Sequence, residues 1–153
     1  MNQSILLVDD SVTIRRYARS ILEGMTEGYE VTERENGALA LHWLSSLVDT
    51  EFPGLIIIDR NMPEMSGDEC VRIIKMDEDW QSIPLLFLTA QTAEKQVVSG
   101  AEFLGADGYI CKPFAPDELQ SLVRRLISGT PDSSGASQQT AGVVVNAELD
   151  STQ

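Results

Sequence analysis

Basic residues are scarce in this sequence, and their scarcity argues against one class of partner. The 153 residues include 11 Lys and Arg against 24 Asp and Glu, which gives a formal net charge of −13. A chain this acidic is a poor candidate for direct binding to nucleic acid or to an anionic membrane surface. An acidic balance also favours solubility, so the charge by itself names no function.

Cysteine and histidine are scarce as well. Cys70 and Cys111 form neither a CxxC motif nor a cluster with the spacing of metal ligands, and they fit best in a reducing compartment. The single histidine, His42, falls in a predicted helix away from the strand ends, so we expect it on the surface without a catalytic or metal-binding role. The sequence has no P-loop or GxGxxG motif, which argues against a nucleotide site.

Long hydrophobic runs are also missing. No apolar run approaches the roughly 18 residues of a membrane span. The N-terminus lacks the basic segment, apolar stretch and small-residue cleavage site of a signal peptide. Together with the cysteine content, these features predict a cytoplasmic protein that neither enters nor binds a membrane.

Short apolar runs that alternate with helical patterns predict the fold. The run at residues 55–58 is unbroken and branched, which is typical of a strand buried on both faces. Residues 29–33 alternate apolar and polar side chains, as an edge strand would. The predicted strands cover residues 5–8, 29–33, 55–58, 85–88 and 107–111. Five strands alternating with five helices predict an α/β domain with a mostly parallel sheet.

Two of the predicted helices bear on later sections. The first has a core-facing stripe at helical spacing and should be broken by Gly28. The residues of the stripe are Ile14, Tyr17, Ala18, Ile21, Leu22 and Met25. The fourth helix is poorer in large apolar residues and should run to about Leu104, because Gly105 is a natural C-terminal stop.

The composition changes at Gly129. Residues 130–139 contain few apolar side chains and no Lys or Arg, which is typical of a flexible segment. We therefore predict one domain over residues 1–128 and a flexible acidic tail or linker over residues 129–153. No basic helix-turn-helix pattern follows the domain, so we expect no transcriptional output domain in this chain.

Four predicted strands end at polar residues, and these residues suggest a site. Asp9 and Asp10 follow the first strand, Asp59 the third, Thr89 the fourth and Lys112 the fifth. Any one of them alone would be an ordinary loop start, helix cap or turn residue. Because the carboxyl ends of parallel strands meet at one edge of a sheet, we expect all of them to lie close together.

The chemistry of this group points to phosphoryl transfer. Three crowded carboxylates raise one another's pKa unless a cation neutralises them, and Mg²⁺ is a hard cation that prefers oxygen ligands. The hydroxyl of Thr89 and the ammonium group of Lys112 are suited to holding phosphoryl oxygens. Carboxylates, a metal, a hydroxyl and an ammonium group together indicate transfer of a phosphoryl group onto a carboxylate.

This pattern resembles the receiver domain of two-component response regulators, the chemotaxis-type phosphoacceptor fold. The resemblance extends from about residue 5 to residue 127. It rests on the segments Leu7-Val8-Asp9-Asp10-Ser11, Ile58-Asp59-Arg60-Asn61-Met62-Pro63, Leu88-Thr89-Ala90, Gly105-Ala106-Asp107-Gly108-Tyr109 and Lys112-Pro113-Phe114. It implies a flavodoxin-like, doubly wound (βα)5 fold with a five-stranded parallel sheet in the strand order 2-1-3-4-5.

The resemblance also implies roles for the acidic residues. Asp59 would be the phosphoacceptor, taking a phosphoryl group from a histidine of a histidine kinase or a histidine phosphotransfer protein. Asp10 would be a direct Mg²⁺ ligand, and Asp9 would act largely through metal-bound water. Asn61 would offer its backbone carbonyl to the metal.

The remaining implied roles concern the phosphoryl group and its readout. Thr89 and Lys112 would hold the phosphoryl oxygens, and the bond between Lys112 and Pro113 would be cis. Tyr109 would be an aromatic switch residue that responds to movement of Thr89. Phosphorylation would be read by a downstream protein on the surface formed by the fourth predicted helix, the last strand and the last helix. Arg60 and Gln91 flank the site and should influence how long the phosphoryl group persists.

Two alternatives to a single-domain signalling protein stay open at this point. The sequence could be the receiver module of a longer regulator or a hybrid kinase, cut within a linker. It could also be an aspartyl-phosphate hydrolase of the haloacid dehalogenase kind, but those enzymes place two acids two residues apart after the first strand. Here Asp9 and Asp10 are adjacent, so we expect no enzyme beyond catalysis of the protein's own aspartyl phosphorylation and dephosphorylation.

Overall fold

The computed structural model describes residues 3–90 and 105–129, and within these ranges the strands form one parallel sheet. The strands are β1 (Ser4–Val8), β2 (Glu30–Arg34), β3 (Leu55–Asp59), β4 (Leu85–Ala90) and β5 (Gly108–Lys112). Their order is β2-β1-β3-β4-β5, and every neighbouring pair is parallel. The predicted fold class and strand order are confirmed, and β2 is an edge strand as its alternation indicated.

Three of the four α-helices in the described ranges begin at a side-chain cap. The four helices are α1 (Val12–Glu23), α2 (Gly37–Ser45), α3 (Gly67–Met76) and α4 (Pro116–Ser128), with a short 3-10 helix at Asp49–Glu51. The Ser11 hydroxyl accepts a hydrogen bond from the backbone N–H of Ile14, and the Asn36 side chain accepts one from Leu39. These caps satisfy N–H groups that have no partner inside the helix, so α1 and α2 each start immediately after the strand-end loop.

The helices cover both faces of the sheet and make two apolar layers. Ala18, Leu22 and Leu119 are among the side chains of α1 and α4 that pack on one face, whereas Leu44 and Ile74 represent α2 and α3 on the other. Alternate residues of β1, β3 and β4 point into opposite layers, as the two-residue period of a strand requires. With both faces covered, the ligand-accessible part of the sheet is its carboxyl edge.

Two details of the first helix differ from the sequence prediction. The helix ends at Glu23 with Gly24 as its cap, four residues before Gly28. Tyr17, predicted to belong to the core stripe, is 41% exposed. Its ring instead lies 5.5 Å from the ring of Phe114, and its hydroxyl donates a hydrogen bond of 2.8 Å to the Phe114 carbonyl. Tyr17 thus joins α1 to the loop between β5 and α4.

Two predictions fall outside the described residues. One is the fourth predicted helix, expected to run to about residue 104, and the other is the tail from residue 130 onward. The last described helix, α4, ends at Ser128, and Gly129 caps it in the left-handed conformation with a φ of 71°. The division into a domain and a flexible tail stays a prediction.

Candidate functional site

Acidic side chains from two strand ends meet at the carboxyl edge of the sheet. Asp9 and Asp10 follow β1, and Asp59 is the last residue of β3. One carboxylate oxygen from each of the three lies within 4.8 Å of the others. Lys112, at the end of β5, places its Nζ 3.1 Å from Asp9 Oδ2 and 3.3 Å from Asp59 Oδ1. The expected convergence of these four residues is therefore what the structure shows.

Two of the three carboxylates are buried and fixed. Asp9 is fully buried, and its Oδ1 accepts a hydrogen bond of 2.9 Å from the backbone N–H of Ser11. Asp59 is 4% exposed, and its Oδ1 accepts a hydrogen bond of 3.3 Å from the backbone N–H of Asn61. Asp10 is exposed, so it forms the solvent side of the cluster.

The electrostatics of the cluster favour a bound cation. Burial, and after it the charge of Asp9, raises the pKa of Asp59 from 3.8 to about 6, although Lys112 and the N–H of Asn61 oppose the change. Burial acts to lower the pKa of Lys112, but the charges of Asp59 and Asp9 outweigh it and hold that pKa above 10.5. One ammonium group thus faces three carboxylates, and the remaining negative charge calls for a cation.

The donor set suits a hard divalent ion. All three candidate ligands offer carboxylate oxygens, and no histidine or cysteine belongs to this cluster of the described residues. Mg²⁺ prefers oxygen ligands and is held in proteins through one or two carboxylates together with waters and phosphate oxygens. The residues present therefore fit Mg²⁺, with Asp10 as the carboxylate most open to an ion arriving from solvent.

Thr89 and Tyr109 lie on one face of the sheet. Both are buried, at 1% and 2% exposure. Tyr109 is paired in register with Phe87, two residues before Thr89 on β4. Because side chains two residues apart point the same way along a strand, Tyr109 shares a face with Thr89 and sits diagonally from it. The structure therefore holds Tyr109 in a packed, inward position.

The other predicted site residues have varied places. Asn61 is exposed, and the contact that the structure shows for it is the backbone N–H to Asp59. The bond between Lys112 and Pro113 is cis, as the resemblance implied. His42 is exposed on α2, as predicted. Gln91 lies outside the described residues.

Gly67 brings α3 against residues 60–66, the loop after Asp59 that we call the acceptor loop. Sequence reasoning did not find this contact. The backbone N–H of Gly67 donates to the carbonyl of Arg60, 2.8 Å away. A Cβ at this position would overlap the carbonyl oxygen of Asp59 and lie 2.8 Å from the Cα of Arg60. Gly67 is eight residues from Asp59 in the sequence, and its closeness to the Asp59 carbonyl is visible only in the fold.

Arg60 is held away from the carboxylate cluster, which the sequence did not indicate. Its Nε and Nη2 donate to the carboxylate of Asp68 on α3, at 2.8 and 3.2 Å. Its guanidinium carbon lies 5.7 Å from the centre of the Phe87 ring. Arg60 therefore links the acceptor loop to α3 and β4, and its influence on the phosphoryl group stays a prediction.

Comparison with known proteins decides the family. The family model described as "Response regulator receiver domain" matches residues 5–124. The chain belongs to this family. The receiver domain is 35% identical to the chemotaxis protein CheY1 of Helicobacter pylori over 84% of this chain and 98% of that protein. It is 37% identical to the phosphate regulon transcriptional regulatory protein PhoB of Pseudomonas aeruginosa, over 95% of this chain and 61% of PhoB.

A solved structure with a bound metal is also similar to this receiver domain. It is the receiver domain of the sensor histidine kinase PA1611 from Pseudomonas aeruginosa, described with a magnesium ion coordinated in its active site cleft. The two chains share 27% identity and a TM-score of 0.71, over 84% of this chain and 99% of the other. The receiver family is a signalling module, and it is not a conventional enzyme family.

Within residues 3–90 and 105–129, no helix has both the length and the apolar character that a membrane span needs.

Proposed function

We propose that this response regulator receiver accepts a phosphoryl group on Asp59 from a phosphohistidine of a histidine kinase or a phosphotransfer protein. The observation that carries the proposal is the position of the Asp59 carboxylate. It ends the central strand, it is within 4.8 Å of Asp9 and Asp10 oxygens, and it is 3.3 Å from the Lys112 ammonium group. An oxygen of Asp59 forms the new P–O bond while the P–N bond to the donor histidine breaks, and its electron pair stays on the imidazole nitrogen.

The neighbouring residues have distinct tasks in this proposal. Bound Mg²⁺ would supply positive charge that lowers repulsion between the carboxylates and the incoming phosphoryl oxygens. Asp9, Asp10 and Asp59, with the backbone carbonyl of Asn61, are the groups that would hold it. Lys112 already contacts Asp59 and is placed to bind a phosphoryl oxygen. Thr89 would bind another with its hydroxyl.

Phosphorylation by a small donor tests the proposal. Wild type incubated with acetyl phosphate and Mg²⁺ should gain one hydroxylamine-labile phosphoryl group, and peptide mapping should place it on Asp59. Asp59→Asn should incorporate none, because an amide cannot form the acyl phosphate. Undiminished incorporation by folded Asp59→Asn would show that another residue is the acceptor. Steady turnover of a phosphomonoester by wild type would instead favour the aspartyl-phosphate hydrolase.

Partners and location follow from the same proposal. We assign a histidine kinase or histidine phosphotransfer protein as the donor and a downstream protein as the target, and the net charge of −13 argues against nucleic acid as a direct partner. Cys70 and Cys111 are both buried, and two buried cysteines without metal-ligand spacing suit the reducing cytoplasm. In this proposal the only reactions that the protein catalyses are its own phosphorylation and dephosphorylation.

We further propose that Tyr109 reports phosphorylation to the surface that includes β5 and α4. Thr89 and Tyr109 share a sheet face, and Tyr109 is packed inward at 2% exposure. Movement of Thr89 toward a phosphoryl group would change the space beside it and shift the population of inward Tyr109. A difference of a few kcal/mol between the two positions is enough for such a shift.

Backbone amide NMR checks this output route. With Mg²⁺ and a stable phosphoryl analogue, wild type should show shifts in β5 and α4 as well as around Asp59. Tyr109→Ala should still bind the analogue at the Asp59 loops but respond less in β5 and α4. Shifts confined to the loops around Asp59 in wild type would contradict the route and favour a protein that only stores phosphate.

A further inference from the structure

An arginine of α1 contacts the backbone of the loop after β1 that contains Asp9 and Asp10, here called the acidic loop. The Nη1 of Arg15 donates a hydrogen bond of 2.6 Å to the backbone carbonyl of Asp9. Its Nε donates one of 2.8 Å to the Glu33 carboxylate on β2, and the side chain is only 14% exposed. The guanidinium group thus has one fixed acidic partner and one contact to the loop that bears the candidate metal ligands.

The carbonyl that Arg15 contacts belongs to the peptide between Asp9 and Asp10. On the other side of Asp9, the backbone N–H donates to the carbonyl of Arg34 at the end of β2, 3.2 Å away. β1 and β2 are not paired beyond this point, so the carbonyl of Asp9 is not part of the hydrogen-bond ladder of the sheet. Because a peptide unit is planar, a hydrogen bond to this carbonyl also sets the direction in which the chain enters Asp10.

Asp10 is the acid whose position most needs such support. Asp9 and Asp59 are buried and held by backbone N–H groups and by Lys112. Asp10 is exposed, and within residues 3–90 and 105–129 its carboxylate has no hydrogen bond or ion pair. Its orientation therefore depends on the backbone before it, which is the part that Arg15 holds.

We propose that Arg15 is a positioning residue for Mg²⁺ binding, which it supports by fixing the Asp9–Asp10 peptide while Glu33 fixes its guanidinium group. The inference rests on the proposed function, because it assumes that Asp10 is a metal ligand. Some groups hold metal ligands in place by hydrogen bonds without contacting the metal. Removing such a group commonly weakens metal binding 10-fold to 100-fold. Arg15 reaches the loop through the backbone and does not touch the metal.

Arg19 provides a matched control on the same helix. It lies one turn further along α1, and its Nη1 pairs with the other oxygen of Glu33 at 2.7 Å. Its Nε pairs with Glu23, and within the described residues it makes no hydrogen bond or ion pair with Asp9 or Asp10. Arg15→Gln and Arg19→Gln therefore both remove an ion pair to Glu33, but only Arg15→Gln removes the contact to the acidic loop.

The test is a Mg²⁺ titration of the folded variants, with binding monitored by backbone amide NMR. Arg15→Gln should bind Mg²⁺ about 10-fold more weakly than wild type, and Arg15→Lys should fall between the two. Arg19→Gln should bind Mg²⁺ with the affinity of wild type. Asp10→Ala removes a proposed ligand and should show how far the loss of the ligand itself weakens Mg²⁺ binding. In metal-free Arg15→Gln the amide signals of Asp10 and Ser11 should shift, whereas they should be unchanged in Arg19→Gln.

Phosphorylation by acetyl phosphate at varied Mg²⁺ concentration distinguishes a failure of the proposed function from a failure of the role assigned to Arg15. In Arg15→Gln the Mg²⁺ concentration for half-maximal rate should rise about 10-fold, while the rate at saturating Mg²⁺ should stay near that of wild type. Failure of wild type to bind Mg²⁺ or to be phosphorylated would overturn the proposed function and this inference together.

Other outcomes overturn the inference alone. A Mg²⁺ affinity of Arg15→Gln equal to that of wild type would do so. Equal weakening of Mg²⁺ binding in Arg15→Gln and Arg19→Gln would also do so, because it would mean that only the ion pairs to Glu33 matter. If Arg15→Gln does not fold, Arg15→Lys and Glu33→Gln decide the question. Both should weaken Mg²⁺ binding severalfold if Arg15 positions the loop, and unchanged affinity in both would refute it.

Discussion

Asp59→Asn should raise the free energy of unfolding of the metal-free protein by about 3 kcal/mol at pH 7. The reason is the pKa of Asp59, which burial and the charge of Asp9 raise from 3.8 to about 6. A carboxyl group whose pKa is higher in the folded state favours folding when it is protonated and opposes folding when it is ionised. The difference between 3.8 and about 6 corresponds to about 3 kcal/mol.

The sign of this effect fixes its pH dependence. Below pH 3.8 Asp59 is protonated in both states, so Asp59→Asn should bring no gain from this source. Between pH 3.8 and about 6 the unfolded state releases its proton while the folded state still retains it, so the wild type loses stability as the pH rises; above pH 6 both states are ionised and the loss is complete. Chemical denaturation should therefore show a gain of about 3 kcal/mol at pH 7 and about half of that at pH 5.

Two controls accompany this measurement. Asp49→Asn removes an exposed carboxylate in the 3-10 helix at the opposite edge of the sheet, and its effect should be small at both pH values. Addition of Mg²⁺ should stabilise wild type more than Asp59→Asn and reduce the difference between them. An Asp59→Asn protein no more stable than wild type at pH 7, or equally stabilised at pH 5 and pH 7, would contradict the electrostatic account.

Gly67→Ala should lower the free energy of unfolding by at least about 2 kcal/mol. The added Cβ would overlap the carbonyl oxygen of Asp59 and approach the Cα of Arg60 to 2.8 Å. Both neighbours are backbone atoms, so no side-chain rotation can make room. Either α3 moves away from the sheet, or the acceptor loop shifts and carries Asp59 with it.

Gly108→Ala is the matched control for Gly67→Ala. Gly108 lies at the start of β5, and its added Cβ would meet Leu86 and Leu122 side chains at 3.9 and 4.0 Å, which is ordinary contact. We expect Gly108→Ala to be as stable as wild type and to be phosphorylated at the wild-type rate. Gly67→Ala should be less stable, and its Asp59 should also be phosphorylated more slowly. Equal stability of the two variants by thermal and chemical denaturation would show that α3 and the loop adapt more easily than the structure indicates.

The sequence determined the architecture because this information is local. Branched apolar runs identified β1, β3 and β4, and the alternation in residues 29–33 identified β2 as an edge strand. Parallel strands then forced Asp9, Asp59 and Lys112 to the same edge, whatever the details of packing. The position of the site followed from where each apolar run stops, and the structure confirms that convergence.

Tertiary structure alone decided how the site is supported. In the sequence Arg15 is one of three arginines in α1, with Arg16 and Arg19. Only the packing of α1 against β2 brings its guanidinium group to the Asp9 carbonyl. Tyr17 has the right spacing for the core but lies at the rim of the stripe, where its hydroxyl can reach Phe114. Helical periodicity defines a direction to within tens of degrees, whereas a hydrogen bond requires atoms to be placed within a few tenths of an ångström. That precision comes from the packing of whole elements against one another, which no local pattern in the sequence contains.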